Sequence, residues 1–181
     1  MSGHNKWSKI KRKKGVADAA KSKVFSKHAS LIAVESRKAK GNLASPGLAA
    51  AIERAKKDLM PKENIDRAVL KGAGAEGAAL TEVLYELYGP GGVAIIITAV
   101  TDNPNRTTPE MRHLLKEAGY ELGGQGSALW AFTKTAEGYV PNTPLSLSDE
   151  DGGKLADHIE AIEEHADVQD VYTTADEPAE S

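Results

Sequence analysis

The sequence predicts an α+β fold, with a helical domain first and a mixed domain of strands and helices after it. Apolar residues recur every three or four positions through the first part of the chain, which is typical of helices that bury one face. Short β-branched runs alternate with helical patterns in the second part. Between them lies "GAGAEGAA", residues 72–79, whose small residues predict a linker.

The charge distribution divides the chain at the same place. Residues 1–71 hold 18 Lys and Arg against 6 Asp and Glu, whereas residues 72–181 hold 5 against 20, so the net charge of −3 conceals two opposite regions. The basic region suits a polyanion, and the acidic region would be repelled by one.

The composition also excludes several classes of protein. The absence of cysteine excludes disulfides and thiolate metal sites and favours a reducing compartment. No apolar run approaches the ~20 residues of a membrane span, and the basic start lacks the apolar region of a secretory signal. We therefore expect a cytoplasmic protein with no membrane partner.

Three helices are predicted in the first part. The first covers residues 18–42, with Asp18 as its N-cap and Gly41 as the left-handed residue that ends it. Pro46 opens the second helix after Ser45, and Pro61 and Gly72 bound the third. The residues expected to face the helical core are Leu31, Ile32, Leu48, Ile52, Ala55, Leu59, Ile65, Ala68 and Val69.

The second part begins with two predicted strands and a helix. A strand over residues 82–88 leads through the turn "GPGG" into "VAIIITAV", whose continuous β-branched run is typical of a buried strand. The helix in "TDNPNRTTPEMRHLLKEAG" is predicted to start with a capping box formed by Thr107 and Glu110.

The remaining elements complete a known arrangement. "SALWAF" and "GYVPN" predict a hairpin, "SDEDGGKLADHIEAIEEHAD" a helix with acidic residues at its start, and "VQDVYT" a last strand. From Val93 the order is βαββαβ, the ferredoxin-like arrangement, with one extra strand in front. The expected organisation is a flexible basic arm at 1–15, a helical domain at 16–75, the α/β domain at 76–175 and a disordered tail at 176–181.

Signals for catalysis, metals or cofactors are weak. "GPGG" lacks the lysine and hydroxyl of a P-loop, so we interpret it as a tight hairpin turn, and "GGQGS" as a loop before a strand. No two of the five histidines lie three or four residues apart, and His28 is interpreted as a packed core histidine. The acids around Asp149 suit a helix start, and no nucleophile elbow is present. We expect no enzyme activity, no metal and no cofactor.

The segment "GHNKWSKIKRKKG", residues 3–15, carries the strongest functional signal. Six cationic side chains in this arm would each release counterions on reaching a phosphate, and Trp7 could stack on an unpaired base. The alternative is a solubilising tail, with Trp7 anchored on the helical domain. The candidate nucleic-acid-binding residues are His4, Lys6, Trp7, Lys9, Lys11, Arg12, Lys13, Lys14, Lys21, Lys23, Lys27, Arg37 and Lys38.

Four segments in the same order, covering residues 3 to 133 nearly continuously, resemble the YebC/PmpR family, which includes a mitochondrial translational activator of cytochrome c oxidase. They are "GHNKWSKIKRKKGVADAAKSKVFSK", "AAIERAKKDLMPKENIDRAVLKGAG", "YGPGGVAIIITAVTDNPNRTTPEMRH" and "GSALWAF". The resemblance implies a helical N-terminal domain, α/β domains, no catalytic residues and no cofactor. Some members bind DNA and carry the label of probable transcriptional regulators, whereas others act on translation at the ribosome.

One departure from the family pattern concerns a whole domain. Members continue past the W-x-F motif into a further α/β domain, whereas here "KTAEGYVPNTPLSLSDED" connects that motif directly to the last helix. The chain therefore resembles a short form that lacks the inserted domain. We still expect residues 93–173 to close into one sheet-and-helix unit.

Two functions stay open at this point. An RNA-directed factor at the ribosome fits a basic arm with one aromatic residue, because broad phosphate contact needs no base code. A DNA-binding transcriptional regulator would need a recognition helix that begins with base-reading side chains. The second helix begins "SPGL", which offers poor base readers and favours ribosomal or other structured RNA.

Overall fold

The computed structural model describes residues 18–74 and 79–176, which form two compact units. The first unit, termed the helical unit, contains residues 18–82 and 100–104. The second, termed the α/β unit, contains residues 83–99 and 105–176. The predicted basic arm at 1–15 lies outside the described residues.

The elements follow the predicted order. The helical unit contains α1 (Asp18–Lys38), α2 (Pro46–Lys57) and α3 (Lys62–Ala73). The chain continues with β1 (Thr81–Tyr88), β2 (Ala94–Thr101), α4 (Pro104–Glu117), β3 (Phe132–Thr135), β4 (Gly138–Pro141), α5 (Asp149–Glu163) and β5 (Val168–Thr173). The prediction of an α+β fold is confirmed.

The core of the helical unit forms between single apolar faces of the three helices, as the periodicity predicts. Ile32 and Leu48 are fully buried, and Ile65 and Ala68 of α3 pack against them. Short helices of this kind depend on such packing, because isolated helices of 12 residues are marginal in water.

The end of α1 differs in detail from the prediction. Gly41 has a positive φ of 78°, as predicted, but the helix already ends at Lys38. The N–H of Gly41 donates to the Ser36 carbonyl at 2.9 Å, and the N–H of Lys40 donates to Arg37 at 3.2 Å. This is a Schellman ending, and Lys40, at φ 51°, is its left-handed residue.

The prediction that Leu59 continues the apolar stripe of α2 is wrong. Leu59 lies beyond the helix at φ 62° and is 83% exposed. The N–H of Met60 donates to the Ala55 carbonyl at 3.0 Å, so the chain reverses there. Met60 therefore enters the core beside Ala55, in the place that simple periodicity gave to Leu59.

The sequence predicted that Gly72 ends α3 and begins the linker. Instead, α3 continues to Ala73. Gly72 is buried, and a Cβ at this position would overlap the carbonyl oxygen of Ala33 in α1. Its lack of a side chain is what allows α1 and α3 to approach closely. The segment 75–78 lies outside the described residues.

Gly72→Ala should therefore destabilise the protein by about 1–3 kcal/mol, because the added methyl overpacks the α1–α3 contact. The matched control is Gly153→Ala in α5, where a Cβ would meet no atom within 4 Å. That control should gain about 0.5–1 kcal/mol from helix propensity alone. Chemical denaturation of both variants checks this, and a stabilised Gly72→Ala would contradict the close packing.

The strands of the α/β unit form two separate sheets. The larger sheet has the order β1–β2–β5, and β2 pairs antiparallel with β5, with Ile95 opposite Thr173. The predicted hairpin is confirmed as β3 and β4, but it forms its own two-stranded sheet. The ferredoxin-like element order is thus present without a single four-stranded sheet, because β1 pairs with β2.

The strand β2 is buried on both faces, which explains its continuous apolar sequence. Ile95 and Ile97 pack with Leu155 and Ile159 of α5. On the other face, Ile96 packs with other residues of the unit, namely Ala128, Ala131, Phe132 and Tyr172. The helix α5 thus packs on the "VAIIITAV" strand, as the expected sheet-and-helix unit of residues 93–173 requires.

Two local sequence predictions, the "GPGG" turn and the capping box of α4, had opposite outcomes. The "GPGG" turn is confirmed: the N–H of Gly89 donates to Val93 at 2.9 Å, and Gly91 has a φ of 66°. The capping box is wrong, since α4 starts three residues earlier at Pro104 and the Thr107 hydroxyl donates to Asp167 at 2.7 Å.

The structure also corrects two predictions for the last part of the chain: the start of the strand in "SALWAF" and the start of the disordered tail. The strand expected in "SALWAF" begins only at Phe132, after a short 3₁₀ turn at Leu129–Ala131. Asp176 was expected in a disordered tail, yet its N–H donates to the Leu145 carbonyl at 2.8 Å. The rest of that tail lies outside the described residues.

Candidate nucleic-acid interface

The structure places only part of the predicted interface. The candidates of the basic arm, His4, Lys6, Trp7, Lys9, Lys11, Arg12, Lys13 and Lys14, lie outside the described residues. The five helical candidates all belong to α1. At 3.6 residues per turn, Lys23, Lys27, Arg37 and Lys38 fall within an arc of about 100° on one face, whereas Lys21 falls on the side of the core stripe.

Lys38 is held by two carboxylates. Its ammonium donates to Glu35 at 2.9 Å and also pairs with Glu82. Burial opposes the charge, yet the hydrogen bonds to Glu82 and Glu35 raise the pKa of Lys38. Lys38 is therefore charged at neutral pH but less available to a phosphate than Arg37, whose side chain has no hydrogen-bond or ion-pair partner in the described part of the chain.

Further cations of the helical unit lie outside the predicted set. The prediction included only cations of the arm and of α1. Between residues 18 and 74, 12 Lys and Arg face 6 Asp and Glu. Within the described ranges, four of the further cations are exposed and their side chains have no hydrogen-bond or ion-pair partner: Lys40, Lys62, Arg67 and Lys71.

The N-terminus of α2 is unsuited to a phosphate or a base. Ser45 occupies the N-cap position without a side-chain cap bond. The carboxylate of Glu35 lies against Gly47 in the first turn, where it meets the positive end of the helix dipole. An incoming phosphate would be repelled by this carboxylate, so α2 lacks the features of a DNA recognition helix.

A rigid aromatic pair on the α/β unit was also missed by the sequence. Trp130 is 70% exposed, and its Nε1–H donates to the Ser127 carbonyl at 2.8 Å and to the Tyr88 hydroxyl at 3.1 Å. The Tyr88 hydroxyl donates to the same carbonyl at 2.6 Å. The edge of the indole is thus fixed while its face stays open, the arrangement that suits stacking.

The loop beneath this pair is anchored by Glu86. The buried carboxylate of Glu86 accepts from the N–H groups of Gly126, Ala128 and Leu129 at 2.6, 2.8 and 2.7 Å. Burial alone would raise the pKa of Glu86, but these three donors lower it. The "GGQGS" segment is confirmed as a loop before a strand. Its shape is fixed by the Glu86 carboxylate, which lies 40 residues before Gly126 in the sequence.

Three residues of the α/β unit bring together groups of metal-ligating type. Donor atoms of Glu110, His165 and Asp167 lie within 4.8 Å of one another. His165 Nδ1 accepts from the Asp167 N–H at 3.1 Å, so Nε2 carries the proton and donates to Glu110 at 3.0 Å. Arg106 also pairs with Asp167 at 3.1 Å. These contacts make a structural ion network linking α4 to the turn before β5.

His28 and His158 are both buried but differ in their partners. His28 Nε2 lies 2.6 Å from the Asp58 carboxylate, so it is packed and hydrogen-bonded, as predicted. His158 has no hydrogen-bond partner for either ring nitrogen among the described residues, and its ring centroid lies 4.6 Å from that of Tyr120. Burial lowers the pKa of His158 below 6.5.

This lowered pKa predicts acid sensitivity of the α/β unit. The unfolded chain binds a proton at His158 more readily than the folded one, so stability is full above pH 6.5 and falls as the pH drops below it. His158→Leu should weaken that dependence, whereas His113→Leu, at an exposed position, should leave it unchanged. Thermal melts between pH 5 and pH 8 check this; parallel curves for wild type and His158→Leu would contradict it.

None of the described helices has the length and apolar character needed to cross a membrane.

Comparison with known protein families matches most of the chain. Residues 5–75 match the model described as the TACO1/YebC protein N-terminal domain. Residues 80–137 match the model described as the TACO1/YebC second and third domain. The first match ends at residue 75 and the second begins at residue 80, close to the point where the basic part of the sequence ends and the acidic part begins.

Several curated bacterial relatives are 44–51% identical to the chain over the aligned residues. The proteins from Thermotoga maritima and Dictyoglomus thermophilum, both called "Probable transcriptional regulatory protein", are 51% and 46% identical over 136 and 171 residues. These matches cover 74% and 93% of this chain, and 54% and 67% of the relatives. A similarly named Desulfatibacillum aliphaticivorans protein is 44% identical, with 98% of this chain and 72% of the relative covered. The chain spans about half the length of the Thermotoga relative.

A solved structure shares the fold. The crystal structure of a conserved hypothetical protein from Aquifex aeolicus superimposes with a TM-score of 0.78 at 30% sequence identity. The match covers 90% of this chain and 93% of that one.

Proposed function

The chain belongs to the TACO1/YebC family, and from this premise we propose that it is a non-enzymatic regulator of gene expression that acts on RNA at the ribosome. The basic arm and the helical unit are the proposed RNA-binding elements, and no cofactor takes part. The names of its relatives support the regulatory role.

The separation of charge carries this proposal. Over the described residues, the helical unit concentrates cations without partners, and the preceding arm adds six more in sequence. The α/β unit is strongly acidic and would be repelled by a polyanion. A protein built this way binds nucleic acid with one part only, chiefly through phosphates, and this suits structured RNA, which is recognised largely by its backbone and shape.

DNA binding is the second candidate, and the relatives named "Probable transcriptional regulatory protein" favour it. The helix termini argue against a base-reading mode. The first turn of α2 is covered by Glu35, and the start of α3 places exposed Glu63 and Asp66 between Lys62 and Arg67. Carboxylates at these positions oppose the entry of a helix into the major groove between two phosphate backbones.

Competition binding at a single salt concentration tests the proposal. The full chain is bound to a labelled structured RNA and challenged with ribosomes, unlabelled RNA and duplex DNA of equal phosphate content. Ribosomes and RNA should displace the label at lower concentration than the duplex. Stronger displacement by the duplex would show that DNA is the preferred nucleic acid. If neither RNA nor DNA binds, the proposed function is wrong.

A further inference from the structure

The helical unit contains an apolar groove that its proposed RNA contacts do not explain. The groove has a volume of about 580 Å³, which is within the size range of binding pockets. Six aliphatic or thioether side chains line it: Leu43, Ile52, Met60, Ile65, Val69 and Leu70. It therefore lies against the second and third helices, where they pack on the core.

The walls of the groove are unusually open to solvent for leucine side chains. Leu43 is 60% exposed and Leu70 is 73% exposed. Leu59, which directly precedes the groove residue Met60, is 83% exposed in a left-handed conformation that glycine would adopt without strain. Clustered apolar exposure of this kind is typical of surfaces that bind a partner.

The polar residues of the groove define the charge of that partner. Lys56 and Lys62 line it together with one acid, Asp66. Lys56 pairs with Glu53 at 2.9 Å, whereas Lys62 has no partner in the described part of the chain. Arg67 and Lys71, on either side of Leu70, are exposed and likewise unpartnered there. Lys62, Arg67 and Lys71 thus outnumber the exposed acids of α3, Glu63 and Asp66, and give the surroundings of the groove a small net positive charge.

We propose that this groove binds an acidic amphipathic helix of a protein partner. Apolar side chains spaced at i, i+3, i+4 and i+7 would fill the aliphatic walls, and flanking carboxylates would pair with Lys62 and its neighbours. The α3 helix is 12 residues, or about 18 Å, long, so about three turns of a partner could lie along it.

Two other occupants fit these observations less well. RNA offers phosphates and flat bases, which are held by cations and aromatic rings, whereas the groove walls are aliphatic. A second copy of this chain could offer its acidic helix α5, but no large apolar residue is exposed on that helix. The inference shares Lys62, Arg67 and Lys71 with the proposed RNA contacts, but it rests on the aliphatic walls, which RNA binding does not explain.

The test uses the full chain and three synthetic helical peptides. The first carries leucines on one face and glutamates elsewhere, the second has the same composition with the leucines scattered, and the third carries lysines in place of the glutamates. Methyl NMR should show the first peptide shifting signals of Leu43, Ile65 and Leu70. The scattered peptide should bind at least roughly tenfold more weakly, because one leucine buried on the aliphatic face corresponds to about that factor. The lysine peptide should also bind more weakly, because its charges are repelled by Lys62 and its neighbours.

Two variants and one matched control localise the binding. Leu70→Ser should weaken the first peptide roughly tenfold, and Lys62→Glu should weaken it while strengthening the lysine peptide. Both residues are exposed, so thermal melts should stay near wild type. Leu145→Ser, at a 40% exposed leucine of the α/β unit, should leave binding unchanged.

Several results would overturn this inference. Equal binding of the scattered peptide would show that the helical face is not recognised, and equal binding of the lysine peptide would show that the charge is not recognised. If the first peptide does not bind, the groove is not a binding site for such a helix. RNA that shifts the same methyl signals and loses affinity in Leu70→Ser would make the groove a nucleic-acid contact. Concentration-dependent dimers that Leu70→Ser abolishes would make it a contact between copies.

Discussion

Replacing Lys11, Arg12, Lys13 and Lys14 together with alanine should flatten the salt dependence of RNA binding and weaken binding to all RNA sequences about equally. If all six cations of the arm reach phosphates, wild-type affinity falls by roughly three orders of magnitude between 50 and 200 mM salt. With two cations left, the fall should be roughly tenfold. The lost contacts carry no base information, so specificity should not change.

A matched control separates local contact from total charge. Arg112, Lys116, Lys134 and Lys154 are exposed on the acidic unit, and replacing them with alanine removes the same charge. That variant should keep the wild-type salt slope. Trp7→Ala should lower affinity with the slope unchanged, because stacking releases no ions. Binding titrations at four salt concentrations, with thermal melts alongside, check all three variants.

Two outcomes would make the arm a structural element instead. One is a four-alanine variant with an unchanged slope. The other is a large drop in its melting temperature, since a segment whose one aliphatic residue is Ile10 should contribute little buried area.

Glu86→Ala should lower the stability of the α/β unit by about 2–4 kcal/mol. The substitution leaves the N–H groups of Gly126, Ala128 and Leu129 without their acceptor. The loop that presents Trp130 should then become mobile. In a Trp7→Phe background, the fluorescence of Trp130 should show lower anisotropy, and denaturation should show the stability loss. The matched control is Glu137→Ala, at an exposed glutamate of the neighbouring hairpin.

The same carboxylate predicts a pH dependence of defined sign. Its pKa is lowered from 4.5 in the folded protein, so its contribution to stability is full above pH 4.5 and is lost as the pH falls through the folded value. Glu86→Gln should therefore be less stable than wild type at pH 7, and the difference should shrink below pH 4.5. A difference that stays constant down to pH 3 would mean that the charge itself does not hold the loop.

The nucleic-acid arm could be proposed from the sequence because its signal is compositional. Density of charge and the presence of Trp7 need no fold to be recognised, and they fix the choice of a polyanionic partner. The groove around Leu43 and Leu70 had no such signal. Its residues lie in two helices, in the loop before them and in the turn between them, and their exposure depends on how the helices pack.

The sequence by itself determined which segments are helices and strands, where the acidic and basic parts divide, and that "GPGG" turns the chain. These features depend on neighbours within about four residues, which periodicity and turn chemistry record. Only the tertiary structure decided that Met60 and not Leu59 enters the core, that Thr107 bonds to Asp167 instead of capping a helix, and that β3 and β4 form a sheet of their own. It also decided that Glu86 holds the Trp130 loop. The contacts of Thr107 and Glu86 join segments far apart in the sequence, the position of the β3–β4 hairpin depends on packing, and a chain reversal brings Met60 into the core. The three-dimensional path selects each of these features, and local sequence patterns do not.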